Sequence, residues 1–126
     1  MRIGPEELAR QCAELAADKK AEDIVILDLR GISSFTDYFV ICSATSEPHL
    51  KAVSSGIREG LHKDYGLSPL ASEGSPNSQW IVIDYSDVLV HIFHTGKRAF
   101  YALESLWSDA PRLPLPEAEP PARGGF

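Results

Sequence analysis

The chain has 126 residues, 44% of them hydrophobic and 24% charged, with a formal net charge of −6. That is ordinary for one globular domain able to bury its own core, and no apolar run approaches the roughly 20 residues a membrane helix needs. Direct nucleic-acid binding relies on clustered Lys and Arg against phosphate, so the acidic balance argues for little or none of it.

The first stretch, MRIGPEELARQ, lacks an apolar signal core, so a cytoplasmic protein is expected. Gly4-Pro5 opens a helix, with Pro5 suited to its first turn. Leu8, Cys12, Leu15 and Ala16 form a stripe at helical spacing, and the helix should run to about Lys19. Ile24–Leu27 is a short apolar run that suits a strand buried on both faces, and Asp37–Ser43 is a second. Thr45, Ser46 and Pro48 signal another helix start. Leu50, Val53, Ile57 and Leu61 then recur at helical spacing, and Gly66 suits the position just past the helix end. Gly56 and Gly60 weaken this helix by about 1 kcal/mol each relative to Ala, which close packing against the sheet would explain. Leu67–Ala71 reads as a weak edge strand, since Pro69 cannot donate to a ladder. Ser72–Ser78 reads as a mobile loop.

Trp80–Tyr85 and Val88–Phe93 are rich in β-branched and aromatic residues. Ser86-Asp87 between them makes a tight turn and a β-hairpin. In the register that a two-residue loop imposes, Asp84 pairs with Leu89 and Val82 with His91. Alternation then puts Ile81, Ile83, Tyr85, Val88, Val90 and Ile92 on one apolar face. The other face carries Trp80, Val82, Asp84, Leu89, His91 and Phe93. Two large aromatics sit there with a carboxylate and an imidazole. This mixed face is either a second core layer with a satisfied polar pair or a surface made for a partner. A carboxylate of Asp84 diagonal to His91 would favour the charged ring.

A third helix follows, with Thr95 as its cap and Ala99, Phe100, Leu103, Leu106 and Trp107 on its apolar side. Lys97, Arg98 and Tyr101 lie on other faces and make one amphipathic patch. From Ala110 to Phe126 the chain is proline-rich and reads as a disordered, extended tail. The domain therefore spans residues 1–109 and the tail 110–126. The order α-β-β-α-β-β-β-α makes an α+β fold: a mixed sheet of about five strands with three helices packed against it.

Catalytic patterns are sparse. His91 and His94 are an odd number of residues apart in a strand, so they face opposite ways and cannot clasp one metal. Asp37 starts a buried strand, but the residue two further on is Phe39, so the paired aspartates of metal-assisted phosphoryl transfer are missing. No metal or cofactor is expected. The competing reading is a small metal-dependent nucleotidyltransferase-like enzyme using Asp37, Asp84 or Asp87. A third is a dimeric adaptor that uses the mixed face for itself. Cys12 and Cys42 belong to no CxxC and read as reduced core residues.

TDYFVICSATS at Thr36–Ser46, WIVIDYSDVLVHIF at Trp80–Phe93 and RAFYALESLW at Arg98–Trp107 together resemble the ribosomal silencing factor family, also called Iojap-like or RsfS. The resemblance covers roughly Glu6–Asp109. It implies a non-enzymatic, nucleotidyltransferase-like fold. It also implies a factor that docks on a ribosomal protein at the subunit-joining face of the large ribosomal subunit. Such a factor would hinder association with the small subunit and repress translation. Relatives in organelles are linked to large-subunit assembly, and a homodimer in the free state is consistent with the family. An acidic protein working on an RNA-rich particle does better to dock on protein than on phosphate. The expected docking residues are Trp80, Asp84 and His91, with Arg98 and Tyr101 alongside.

Overall fold

The computed structural model describes residues 3–34, 36–75, 77, 79–96 and 110–114. Within them lie helices α1 (Pro5–Asp18) and α2 (Glu47–Tyr65). The strands are β1 (Glu22–Asp28), β2 (Tyr38–Ala44), β3 (Ala71–Ser75), β4 (Trp80–Asp84), β5 (Val88–His94) and β6 (Arg112–Leu113). They form one sheet in the order β3-β4-β5-β2-β1-β6. Only β2 and β5 are paired in parallel, so the sheet is mixed as expected. The described residues thus hold six strands rather than about five, and two helices. The expected third helix falls on residues 97–109, outside the described residues.

Local chemistry explains most boundaries. Ser46 caps α2 by accepting the His49 N–H at 3.1 Å, and Pro48 occupies the first turn. Gly66 closes α2 in the left-handed region at φ 67°. Every residue of β2 is buried, as its unbroken apolar run implies. The parallel β2–β5 pairing is anchored where both strands begin. The Asp87 carbonyl accepts the N–H groups of Asp37 (2.9 Å) and Tyr38 (3.0 Å) and the Thr36 hydroxyl (3.0 Å). That one carbonyl ties the hairpin turn to the first residues of β2, with the Thr36 hydroxyl also reaching the Tyr38 carbonyl.

Both helices pack on one face of the sheet. Leu8, Cys12 and Ala16 of α1 and Leu50, Val53, Ile57 and Leu61 of α2 close over Ile26, Val40, Ile83, Val90 and Ile92. Each Leu, Ile and Val among them is worth about 1.5–3 kcal/mol once buried. Cys12 and Cys42 are both buried in this layer and are not joined by a disulfide, and burial pushes the Cys12 thiol far up. The opposite face carries a second apolar cluster of Leu27, Leu29, Phe39, Ile41, Phe93 and Ala110.

Three expectations are corrected. The third strand is Ala71–Ser75, so most of the expected mobile loop is sheet edge and the expected Leu67–Ala71 strand lies too early. Its sequence, ASEGS, has no strand preference; pairing with β4, from Ala71↔Asp84 to Ser75↔Trp80, makes it a strand. The tail does not leave the fold at Ala110. Leu113 pairs with Ile26 and Arg112 with Leu27, the Asp28 N–H donates to the Pro111 carbonyl (2.8 Å), and Arg10 donates to the Pro114 carbonyl (3.1 Å). The flanking Pro111 and Pro114 are tolerated because β6 is an edge strand. Finally, Gly56 and Gly60 meet α1 and not the sheet. A Cβ on Gly56 would stand 2.7 Å from Lys19 Cγ, and one on Gly60 2.5 Å from Leu15 Cδ2.

Candidate functional site

The β4–β5 hairpin has the expected register: Trp80↔Phe93, Val82↔His91 and Asp84↔Leu89. The turn is tight, with the Tyr85 N–H donating to the Val88 carbonyl at 2.9 Å and Ser86 at φ 75°. A positive φ on a serine is unusual. The Asp84 carboxylate offsets that strain by accepting the Ser86 N–H at 2.7 Å.

Strand alternation therefore puts Trp80, Val82, Asp84, Leu89, His91 and Phe93 on the sheet face away from α1 and α2. The face is graded. Phe93 and His91 are buried, at 1% and 6% exposure, whereas Trp80, Val82, Asp84 and Leu89 are partly open. Three rings lie nearly parallel. Trp80 stacks on Phe93 at 5.4 Å between centroids and on His91 at 6.1 Å, and His91 lies 6.2 Å from Phe93. Phe39 of β2 meets His91 edge-on at 4.7 Å. Such offset and edge contacts each add about 0.5–1.5 kcal/mol beyond the area they bury.

The chemistry of His91 differs from expectation. Asp84 serves the turn rather than the imidazole, and no carboxylate among the described residues stabilises a charged ring. Trp80 Nε1 points at His91 Nδ1 over a long 3.4 Å, which makes Nδ1 the acceptor and leaves the proton on Nε2. Nε2 is buried without a hydrogen-bond partner among the described residues. Burial alone pulls the pKa of His91 down to about 4, so the ring is neutral at neutral pH. His94, three residues on, accepts the Gly96 N–H on Nδ1 at 3.1 Å. The two histidines serve different faces of the strand, and among the described residues no three His, Cys, Asp or Glu side chains cluster as a metal site.

Asp37 lies at the strand start and its backbone N–H, not its carboxylate, makes the contact that positions β2. Arg98 and Tyr101 fall outside the described residues. One neighbour escaped the sequence reading. Leu70 is 73% exposed and its N–H donates to the Asp84 carbonyl at 2.7 Å. It therefore leaves a large apolar side chain open at the Asp84 end of the sheet. Its own sequence context carried no signal, since a leucine beside Pro69 reads equally well as edge or core.

The family model described as "Ribosomal silencing factor during starvation" matches residues 3–125. The chain belongs to the ribosomal silencing factor family. It is 38% identical to Ribosomal silencing factor RsfS of Bacillus subtilis over 113 residues, 90% of this chain and 95% of that protein. It is 38% identical over 110 residues to the RsfS of Halalkalibacterium halodurans, covering 87% of this chain and 93% of the relative. A crystal structure of a Bacillus halodurans protein superposes with a TM-score of 0.74 at 36% identity, over 87% of this chain and 99% of that one. Membership of the ribosomal silencing factor family gives the chain a general role in ribosome silencing, and with it a context for the aromatic face.

Proposed function

We propose that this member of the family docks on a protein at the subunit-joining face of the large ribosomal subunit. Bound there, it excludes the small subunit by its bulk and represses translation in the cytoplasm. The observation that carries the reading is the graded hairpin face. An indole is stacked on a buried phenyl ring and is itself only partly buried. Trp is a frequent interface anchor because it offers a large rigid area at little entropic cost. Trp80 is the proposed anchor. Asp84 and the partly open Leu89 border it, and His91 sets the ring's position from beneath. Arg98 and Tyr101 are proposed to extend the footprint, and Leu70 adds an apolar contact at the Asp84 end. A standard interface buries about 800 Å² per partner, within reach of one sheet face and its rim.

The mechanism is occupancy, so no bond is made or broken and no metal or cofactor takes part. Large-subunit assembly is a second setting in which the same contact would serve. In the free protein the same face is proposed to pair with a second copy, which partner binding would displace. Co-sedimentation with purified large subunits tests the proposal. Wild-type protein should pellet with the particle and Trp80→Ala should stay in the supernatant. Equal pelleting of both would remove Trp80 from the interface.

A further inference from the structure

The side of the sheet away from the aromatic face holds a feature that ribosome docking does not use. Where α2 overhangs the β3 edge, an open cleft of about 290 Å³ is lined by Lys51, Ser54, Ser55 and Arg58 of α2 and by Ser72 and Ser75 of β3. No carboxylate among the described residues lines it. In a chain with a net charge of −6 this is a local reversal of sign. Neither Lys51 nor Arg58 forms an ion pair among the described residues. Ser54, only 5% exposed, sits on the wall of this cleft.

A second cleft of about 400 Å³ adjoins the first through Arg58, which lines both. Its walls include His62, Leu67 and Pro69, with Glu59 also present. One cleft is cationic and rich in hydroxyls; the other is more apolar. Lys51 and Arg58 are seven residues apart, so about 10 Å of helix axis separates them, and their long side chains can converge on one anion between them. Guanidinium and hydroxyl donors suit the oxygens of a phosphate dianion.

We infer that this pair of clefts binds a phosphate monoester, its phosphate between Lys51 and Arg58 and its organic group along Leu67 and Pro69. The site lies on the helix-bearing side of the sheet, opposite Trp80 and His91. It is therefore independent of the docking proposal and can be occupied while that face is engaged.

The test is a titration of the full chain, followed by amide chemical shifts, with uridine monophosphate, inorganic phosphate and uridine as probes. Uridine monophosphate should give saturable shifts in α2 and β3 that weaken as salt is raised. Inorganic phosphate should compete for the same amides, and uridine should leave them unmoved. Arg58 is exposed, so Arg58→Gln folds normally; it should weaken binding about ten-fold, the loss of one charge-assisted contact. Arg10→Gln, on α1, should bind as wild type does. Failure to saturate, equal binding by Arg58→Gln, or equal binding of uridine would each overturn the assignment. So would shifts produced only by a phosphodiester such as short RNA.

Discussion

The ring centroids of Trp80 and Phe93 lie 5.4 Å apart, with the two planes 15° apart. The two residues are direct cross-strand partners, so the hairpin register itself sets this stack. Phe93 is buried and Trp80 is not, so the contact fixes an exposed ring on a rigid base. Trp80→Ala should cost about 1–3 kcal/mol of stability, less than a fully buried aromatic, because the site can admit solvent. Binding to large subunits should fall by far more than that loss of stability explains. Denaturant unfolding and particle binding measured on the same preparation separate the two effects. Phe93→Ala should show the opposite balance, with unfolding dominant.

Beneath the stack, His91 makes stability depend on pH. Its folded pKa of about 4 lies below the unfolded value near 6.5. A lowered histidine pKa means that the unfolded chain takes up the proton first. The stability associated with neutral His91 is therefore complete above about pH 6.5 and is lost as pH falls towards 4. By linkage the full loss is about 3 kcal/mol. His91→Phe keeps a ring in the stack and removes the proton, so its unfolding free energy should change less between pH 7 and pH 4.5. Equal acid sensitivity in both proteins would count against a buried neutral imidazole.

At the sheet edge, Gly74 has φ 85°, and a Cβ there would collide with the Trp80 carbonyl oxygen, which cannot move without breaking the β3–β4 ladder. Gly74→Ala should destabilise by about 1–3 kcal/mol through strain alone. Thermal unfolding checks it. Gly66→Ala is the useful contrast, because its φ of 67° is also left-handed but nothing lies within 4 Å of the added Cβ.

The other edge is closed by β6. Truncation after Asp109 removes the Pro111 carbonyl that accepts the Asp28 N–H, and the Leu113 side chain packed on the helix-side core. Hydrogen exchange at Asp28 should be slow in the full chain and markedly faster in the truncated one. Unchanged protection would mean that β6 contributes nothing to that edge.

What could be read in advance follows from where the physics is local. The hairpin register needed only alternation and a two-residue turn, and α2 needed only Ser46, Pro48 and Gly66. β3 was misplaced because Ala71–Ser75 becomes a strand through β4 and not through its own residues. β6 was hidden by the prolines that flank it, Pro111 and Pro114, which forbid a central strand but not an edge. The partners of Gly56 and Gly60 could not be chosen between α1 and the sheet without the packing. The candidate site was half legible. Trp80 and His91 were brought together as expected, while Asp84 was taken from His91 by the backbone of Ser86, a contact two residues away that side-chain alternation does not consider.

Obstruction of subunit joining is tested most directly by light scattering from purified small and large ribosomal subunits mixed with saturating protein. The account predicts that wild-type protein suppresses the rise in scattering and that Trp80→Ala does not. Normal joining with wild-type protein bound to the large subunit would contradict it.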